Sequence, residues 1–345
     1  RTLKEGKNHF KRPDCKASLH CAMKYCRTYI MMDCMATSKR KGREEGEKSL
    51  LRYSSGTIYA KTLAGNRTLV QDVSFSIRKG EKLSLIGETG SGKTMIALSL
   101  MGKLAPNVKT EGLQCILDGK DCSHPKVASS LLGREVAYIP QNGMEFLNPS
   151  RTVKHHLYDS LHRAGVRSAE AKDKAASALS SVGFRDIDEI LKSYPFQLSG
   201  GMAQRVTVAL ALCTRAKLII ADEPTNGLDK EAASRMLEHL GLLFPDAGQL
   251  FITHDIGVAS NADRILVLCG GRTMEHGKSF LLQNPRNAYT KGLVSSLVSN
   301  GMKATPTLRK RTGCPFSDRC PEYSERCRDE RIHQREGEHE WWCNG

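Results

Sequence analysis

The residues best suited to chemistry form one short glycine-rich run. It reads Gly87-Glu88-Thr89-Gly90-Ser91-Gly92-Lys93-Thr94 and matches the phosphate-loop spacing, in which four residues separate two glycines and Lys and Thr follow. The glycines allow backbone N–H groups to turn towards one point and bind phosphates. Lys93 is expected to reach the β- and γ-phosphates, and the Thr94 hydroxyl is expected to bind Mg²⁺. The run therefore predicts a nucleoside triphosphate site.

The flanking sequence predicts the elements that such a loop requires. Residues 82–86 form an apolar run typical of a buried strand, and residues 95–104 are typical of a helix. Further upstream, residues 51–60 and 69–77 predict two strands separated by a turn at 65–67. We therefore expect an antiparallel layer before a strand, loop and helix.

An apolar strand predicted at 218–222 ends in two carboxylates. Charges are tolerated at the open end of a buried strand, so Asp222 is placed to serve Mg²⁺ and Glu223 to polarise an attacking water. Taken in isolation, the two carboxylates also fit an ordinary solvated pair at a strand end.

Two more predicted strands deliver single polar residues. Residues 136–140 lead to Gln141, and residues 250–253 lead to His254. Gln141 alone fits a turn cap as well as a group that orients water and Mg²⁺. His254 alone fits a structural role, but it would lie beside the γ-phosphate if the strands are neighbours.

The sequence pattern of residues 151–192 differs from that of the predicted strands before it and predicts a helical insertion. This insertion includes an alanine-rich amphipathic helix at 168–182. The insertion leads to Ser199-Gly200-Gly201, at the head of a helix that runs to about Cys213. A hydroxyl and two glycines at a helix start predict a second anion site, without a lysine of its own.

Composition limits the class of protein. A chain of 345 residues predicts two domains, or one large domain with extensions. No apolar stretch reaches the roughly 18 residues that a membrane span requires, so a transport role would depend on partners. The formal charge of +15 fits either nucleic acid or a nucleotide-binding protein at an anionic membrane. A nucleotide site also favours reduced or metal-bound cysteines over disulfides.

Residues 1–49 form a basic extension whose charged run at 39–48 is typical of a solvated linker. Four cysteines lie in this extension, but their spacing lacks the paired C-x₂₋₄-C of a zinc module. We therefore expect a poorly ordered extension. The four are Cys15, Cys21, Cys26 and Cys34.

The ordered set of motifs resembles the ATP-binding subunit of ABC transporters over about residues 50–300. The set comprises the phosphate loop, Gln141, the Leu198-Ser199-Gly200-Gly201 signature, the Asp222-Glu223 pair, residues 227–229 and His254. Residues 141–153 and 194–196 resemble more narrowly the peptide and nickel importers. The resemblance implies an α/β P-loop NTPase fold of the ABC type, with an antiparallel β subdomain and a helical subdomain at about 142–212.

The same resemblance implies roles for single residues. The implied roles are adenine stacking by Tyr59, phosphate binding by residues 87–94, γ-phosphate sensing and Mg²⁺ binding by Gln141, contact with the opposite nucleotide by Ser199, Gly200 and Gly201, Mg²⁺ binding by Asp222, general base catalysis by Glu223, dimer contact at the nucleotide by Asp229, and steadying of the γ-phosphate by His254.

The implied reaction is ATP hydrolysis coupled to uptake. The implied partners are two permease subunits, a second ATP-binding subunit that faces this one head to tail, and indirectly a solute-binding protein, with the complex at the cytoplasmic face of the membrane. Peptide is the first cargo class, and nickel or a metal chelate is the second. A non-transport ABC ATPase acting on nucleic acid or ribosomes is the alternative that the charge favours. Such ATPases carry either two cores or a long coiled coil, and neither is present here.

Residues 301–345 resemble the cysteine-rich C-terminal extension of peptide-importer ATPases. The extension contains Cys314, Cys320, Cys327 and Cys343. Four thiolates suit a [4Fe–4S] cluster or Zn²⁺, and metal-free thiols are the open alternative. The remaining cysteines are expected to be small buried hydrophobes. They are Cys115, Cys122, Cys213 and Cys269.

Overall fold

The computed structural model describes residues 49–225, 230–295 and 313–343. The predicted N-terminal extension and the predicted dimer-contact loop with Asp229 lie outside these ranges. Among the described residues, no helix is both long and apolar enough to cross a membrane.

The described strands are β1 (Leu51–Ser54), β2 (Thr57–Thr62), β3 (Gly65–Gln71), β4 (Ser74–Ile77), β5 (Lys82–Ile86), β6 (Val108–Glu111), β7 (Gln114–Leu117), β8 (Lys120–Asp121), β9 (Val136–Ile139), β10 (Leu218–Asp222), β11 (Gly248–Thr253), β12 (Arg264–Cys269), β13 (Arg272–Lys278), β14 (His333–Glu336) and β15 (His339–Trp342). The described α-helices are α1 (Lys93–Leu100), α2 (Pro125–Leu131), α3 (Gly143–Phe146), α4 (Val153–Arg163), α5 (Ser168–Ser181), α6 (Ile187–Lys192), α7 (Gly200–Leu212), α8 (Lys230–Leu243), α9 (Ile256–Ala259) and α10 (Ala288–Ser295). Short 3₁₀ helices lie at Pro195–Gln197, Ser279–Leu282 and Glu325–Arg328.

An eight-stranded sheet forms the centre of the fold, in the order β14-β15-β13-β12-β5-β11-β10-β9. The five strands from β12 to β9 are parallel, and β13, β15 and β14 add antiparallel strands at the far edge. The middle strands β10 and β11 are buried along their whole length, as expected for parallel strands covered on both faces. The α/β fold predicted from the sequence is confirmed.

Two smaller antiparallel sheets combine strands from before and after the phosphate loop in the chain, in the orders β4-β1-β7-β8 and β3-β2-β6. The predictions of one strand at 51–60 and one at 69–77 were wrong, because each run divides between the two sheets. Gly56 separates β1 from β2 at φ +50°, where a Cβ would lie 2.1 Å from the Glu111 carbonyl oxygen. Asp72 separates β3 from β4, also with a positive φ of 54°. Both breaks occur at left-handed backbone positions, which neither hydrophobic pattern reveals.

Five helices, α3 to α7, lie between β9 and β10. They cover the span where the sequence predicts a helical insertion. Helices α3 and α7 pack closely, because a Cβ on Gly143 in α3 would lie only 2.7 Å from the Ala203 carbonyl carbon in α7. The Gln204 side chain of α7 also donates a hydrogen bond of 3.0 Å to the Pro140 carbonyl oxygen. The end of β9 and the signature helix α7 are therefore packed as one unit.

Arg264 fixes the start of β5, the strand that leads to the phosphate loop. Its Nη1 donates to Glu81 Oε1 at 3.1 Å and to the Ser76 carbonyl oxygen at 3.2 Å. Its Nη2 lies 2.7 Å from Nε2 of His276 on β13, and this contact requires an imidazole nitrogen without a proton. Burial, and then the Arg264 charge, lower the pKa of His276 to about 3.

The lowered pKa of His276 predicts acid sensitivity of the fold. The unfolded chain takes up a proton on this residue below about pH 6.5, whereas the folded chain does not, so the stability contributed at neutral pH is lost as the pH falls from about 6.5 towards 3. The expected loss for this single group is up to about 1.4 kcal/mol per pH unit. Urea unfolding of His276→Gln between pH 6.5 and 4.5 should show a shallower pH dependence than the wild type.

The matched control is His162→Gln, which removes an exposed imidazole from α4. This variant should retain the steep wild-type slope. Equal slopes for the wild type and His276→Gln would contradict the assignment.

Candidate functional site

Strand register brings the predicted site residues to one edge of the central sheet. Ile139 pairs with Ala221, Asp222 with Ile252, and Thr253 with Ile86. The carboxyl ends of β9, β10, β11 and β5 therefore coincide, and parallel sheets bind ligands at this edge. Asp222 is the last residue of β10, and Gln141, Glu223, His254 and the start of the phosphate loop lie within two residues of these strand ends.

The phosphate loop owes its shape to glycines at positive φ. Gly87, Gly90 and Gly92 have φ angles of 150°, 80° and 101°. At Gly87 a Cβ would lie 2.1 Å from the Leu268 carbonyl oxygen, and at Gly92 it would lie 2.9 Å from Cγ2 of Val70. The loop is thus pressed between β12 and β3, and glycine is required at both points. Gly92 also begins α1 without a capping side chain, so the helix N-terminus retains N–H groups for an anion.

Lys93 lies buried beneath the loop. Its Nζ donates to the Gly87 carbonyl oxygen at 2.6 Å and to the Glu88 carbonyl oxygen at 3.0 Å. Burial lowers the pKa of Lys93, while the nearby carboxylates of Glu223, Asp222 and Glu88 act in the opposite direction. The ammonium is therefore held by loop carbonyls, in a position from which it can meet phosphate oxygens.

Glu223 and His254 form a hydrogen-bonded pair. His254 Nδ1 lies 2.7 Å from Glu223 Oε1, and the His254 backbone N–H donates to the same oxygen at 3.1 Å. The Thr253 hydroxyl donates to Glu223 Oε2 at 3.1 Å. Glu223 adopts a φ of 45°, which is unusual outside glycine and marks a backbone position held by its surroundings. Both carboxylate oxygens are thus oriented, which suits a group that accepts a proton.

Asp222 is buried beside this pair, where the Tyr138 hydroxyl donates to its Oδ2 at 3.3 Å. Burial raises the pKa of Asp222, with a further rise from Glu223, whereas the Tyr138 hydrogen bond and Lys93 lower it. A buried carboxylate next to a lysine and a second carboxylate suits a divalent cation, because the cation favours the ionised form.

The remaining predicted nucleotide contacts lie on the surface. Gln141 is exposed beyond β9. Ser199, Gly200 and Gly201 are exposed at the start of α7, where the Ser199 hydroxyl accepts a hydrogen bond of 3.2 Å from the Met202 N–H. Exposed positions among the phosphate-loop residues include Thr89, Gly90 and Thr94.

Tyr59 lies half-exposed on β2. A hydrogen bond with the Glu111 carboxylate raises the pKa of its hydroxyl. Strand β3, which pairs with β2, contacts the phosphate loop through Val70. Tyr59 is therefore one strand away from the loop, and adenine stacking stays a prediction.

The structure gives no support for the suggested metal centre in the C-terminal segment (residues 313–343), and this centre stays a prediction. Within the described ranges, no three side chains of His, Cys, Asp or Glu lie close enough together to hold a metal ion. Burial raises the pKa of the Cys314 and Cys320 thiols, and the nearby Cys343 raises both pKa values further. The four predicted core cysteines are all buried, as expected.

The C-terminal segment is instead joined to the central sheet. Strand β15 pairs with β13. The buried His339 Nε2 lies 2.6 Å from the buried Glu275 Oε1, and Asn287 Nδ2 donates to the Trp342 carbonyl oxygen at 2.8 Å. Docking on the core buries Phe316 of this segment, while Tyr323 and Ile332 stay exposed.

Sequence reasoning missed several residues around the site. Tyr138 and Thr253 lie in predicted strands, but the pattern does not show that their hydroxyls reach Asp222 and Glu223. Arg319 and Tyr289 were also missed, although both contact Glu88 of the phosphate loop. These contacts join residues up to 231 positions apart, so local spacing carries no signal for them.

A doubly covered parallel sheet with this loop and these strand-end groups defines a P-loop nucleoside triphosphatase. The family model described as ABC transporter matches residues 70–226, and the model described as Oligopeptide/dipeptide transporter, C-terminal region matches residues 274–327. The chain belongs to the ABC transporter family of ATP-binding proteins, and it is an ATPase.

Curated relatives match most of the chain. The oligopeptide transport ATP-binding protein OppD of Salmonella typhimurium is 36% identical, covering 81% of this chain and 88% of OppD. The dipeptide transport ATP-binding protein DppD of Bacillus subtilis is 37% identical, covering 75% of this chain and 83% of DppD. The nickel import ATP-binding protein NikD of Pseudomonas putida is 38% identical, covering 68% of this chain and 91% of NikD.

Solved structures share the fold. The dimeric ATP-binding cassette MJ0796 bound to ADP and Pi superposes with a TM-score of 0.57 at 24% identity, over 66% of this chain and 98% of that one. The cbiO1 protein from Clostridium perfringens gives a TM-score of 0.58 at 21% identity, over 69% of this chain and 92% of that one.

The contacts of Thr253 predict a specific sensitivity to substitution. Thr253→Val keeps the side-chain shape but removes the donor to Glu223 and the acceptor for the Asp255 N–H, which bonds Thr253 at 2.9 Å. Unpaired buried polar groups should lower the free energy of unfolding by about 1–3 kcal/mol. Urea unfolding measures this loss.

Thr253→Ser is the matched control, because it keeps the hydroxyl and should retain most of the stability. A valine variant as stable as the wild type, or a serine variant equally destabilised, would show that the hydroxyl does not perform this role.

Proposed function

We propose that this chain is the ATP-hydrolysing subunit of an ABC importer and couples hydrolysis to peptide uptake through partner permeases. The observation that supports it most is the assembly of the phosphate loop, Glu223 and His254 at one sheet edge. The names of the relatives favour peptide as cargo, with nickel or a metal chelate second. The C-terminal family match at 274–327 also favours peptide.

In the proposed reaction the loop N–H groups and Lys93 bind the phosphates of ATP. Thr94, Asp222 and Gln141 would hold Mg²⁺, which neutralises phosphate charge when bound. Glu223 accepts a proton from water as the water oxygen attacks the γ-phosphorus, and ADP leaves. His254, held by Glu223, steadies the γ-phosphate.

A second ATP-binding subunit completes the proposed site. At Gly200 and Gly201 a Cβ would meet no atom within 4 Å, so the packing of this chain does not require glycine there. Close approach of an outside surface gives a reason for these glycines. The signature of each subunit, together with Asp229, would then contact the nucleotide bound by the other.

The helical layer offers a docking surface for the two permeases. Phe196 is 66% exposed and stacks on Tyr194 at 5.5 Å, and Phe146 is 48% exposed on α3. Exposed aromatic groups of this kind suit contact with a membrane partner. The subunit would lie peripherally at the cytoplasmic face, and a solute-binding protein would deliver cargo to the permeases.

Glu223→Gln should separate binding from hydrolysis. The amide cannot accept the proton, so turnover should fall by at least about 100-fold, while the dissociation constant for ATP changes by less than about threefold. Binding of a fluorescent ATP analogue and phosphate release should be measured on one preparation. Glu170→Gln, which removes an exposed carboxylate on α5, is the matched control and should retain turnover.

Lys93→Ala should instead weaken nucleotide binding itself, because it deletes a charge next to the phosphates.

Unchanged turnover in Glu223→Gln would remove Glu223 from the role of base. Equal ATP affinity in Lys93→Ala would remove Lys93 from the phosphate site.

Cargo is tested by reconstitution with permeases encoded beside this chain. In proteoliposomes, a peptide-loaded solute-binding protein should stimulate ATP hydrolysis and peptide uptake, and Glu223→Gln should abolish both. Stimulation by a nickel-loaded binding protein alone would favour the nickel alternative. Stimulation by nucleic acid without permeases would overturn the transport proposal and favour the alternative that the +15 charge suggests.

A further inference from the structure

The C-terminal segment contacts the phosphate loop directly. Arg319 donates from Nη1 to Glu88 Oε1 and from Nη2 to Glu88 Oε2, each at 2.8 Å. This is a bidentate ion pair, the strong form of an arginine–carboxylate contact. The side chains are 18% and 30% exposed, so solvent screens the pair only partly.

Tyr289 of α10 supports the same loop residue. The Glu88 backbone N–H donates to Tyr289 Oη at 3.0 Å. Tyr289 is fully buried, and its ring lies edge-on against Phe316 with 5.3 Å between the ring centroids. The Arg319 guanidinium lies 5.2 Å from the centroid of the Phe316 ring. Tyr289, Phe316 and Arg319 form one packed unit, here called the loop clamp.

The clamp is anchored on both sides. Phe316 is only 5% exposed and belongs to a hydrophobic cluster that includes Ile86, the last residue before the phosphate loop. The Arg319 N–H donates to the Phe316 carbonyl oxygen at 3.0 Å, and the Cys314 N–H donates to the Cys327 carbonyl oxygen at 2.9 Å. The Arg319 side chain is thus presented by a folded turn rather than by a free chain end.

The charge of the Glu88 carboxylate links the loop clamp to nucleotide binding. Glu88 places a carboxylate in a loop that must receive the negative phosphates of ATP. An unpaired carboxylate there would repel the phosphates and compete for the Lys93 ammonium, which already bonds the Glu88 carbonyl oxygen. Arg319 neutralises this charge and fixes its direction.

We propose that the loop clamp is a positioning device through which the C-terminal segment sets the phosphate loop for ATP. The proposal rests on ATP binding by that loop, as argued under the proposed function. Arg319 acts through Glu88, and Tyr289 acts through the Glu88 N–H. None of the roles assigned above to residues of the nucleotide site involves the clamp.

The test compares KM and kcat for ATP. Arg319→Gln should raise KM about tenfold, equivalent to about 1.4 kcal/mol. It should change kcat by less than about twofold, because saturating ATP still fills the phosphate loop when the affinity is lower. Arg319→Lys, which keeps the charge but not the bidentate geometry, should give an intermediate KM. Tyr289→Phe removes only the acceptor for the Glu88 N–H and should also raise KM.

The double variant Glu88→Gln/Arg319→Gln distinguishes positioning from a structural role. It removes the unpaired charge, so it should recover most of the affinity lost in Arg319→Gln. Lys291→Gln is the matched control, because it breaks another ion pair between α10 and the C-terminal segment, Lys291 to Glu322 at 3.0 Å. This pair does not involve the loop, and its loss should leave KM unchanged.

An unchanged KM for ATP in Arg319→Gln and Tyr289→Phe would contradict the proposed role of the loop clamp. A double variant with a KM as high as that of Arg319→Gln would also contradict it, and so would a rise in KM in Lys291→Gln equal to that in Arg319→Gln. Thermal unfolding of each variant identifies a loss of folding, and Tyr289→Phe keeps the test open if Arg319→Gln does not fold. A wild type that fails to bind ATP would refute the proposed function itself.

Discussion

The parallel register of four strands is the constraint on which the site depends. Hydrogen bonding between β9, β10, β11 and β5 fixes the level at which each strand ends, and each end delivers a different group. A shift of one residue in β10 would move Asp222 and Glu223 by about 3.3 Å relative to Lys93 and would turn their side chains to the other face. The fully buried apolar residues of β10 and β11 hold the register, so the core of the sheet and the geometry of the site have the same physical origin.

Buried charge is the second constraint. Lys93, Asp222 and Glu223 lie near one another at low exposure, and burial works against the ionised forms of Lys93 and Asp222. The protein offsets this cost with directed hydrogen bonds, which Tyr138 and Thr253 donate to the carboxylates and which the loop carbonyls accept from Lys93. Such a cluster is poised for a ligand that brings both negative phosphates and a divalent cation, because each compensates one sign of the buried charge.

Much of the fold and of the candidate site could be predicted from the sequence, because the main signals are local. The phosphate loop, the strand ends at Gln141, Asp222 and His254, and the helix after Ser199 depend on spacing within one or two elements. The breaks at Gly56 and Asp72 could not be predicted, because the apolar pattern continues through both positions. The chain passes from one sheet to the other there, and the pattern does not mark this change.

The C-terminal segment shows more clearly that contacts between residues distant in sequence cannot be predicted from local patterns. Its cysteines suggested a metal centre, whereas the structure shows that pairing of β15 with β13 and burial of Phe316 join the segment to the core. The contact of Arg319 with Glu88 joins the two family regions of the chain, and neither motif alone contains it. A segment that the sequence presents as an appendage is thus part of the support of the nucleotide site.

We propose that the groups at this one sheet edge form a single site for Mg²⁺ and ATP. The sharpest test is an experimental structure of Glu223→Gln with Mg²⁺ and ATP. We expect phosphates on the backbone N–H groups of residues 90–94, Lys93 Nζ transferred from the loop carbonyls to phosphate oxygens, and His254 beside the γ-phosphate. A nucleotide bound elsewhere, or a Lys93 that stays on the Gly87 and Glu88 carbonyls with ATP present, would contradict it.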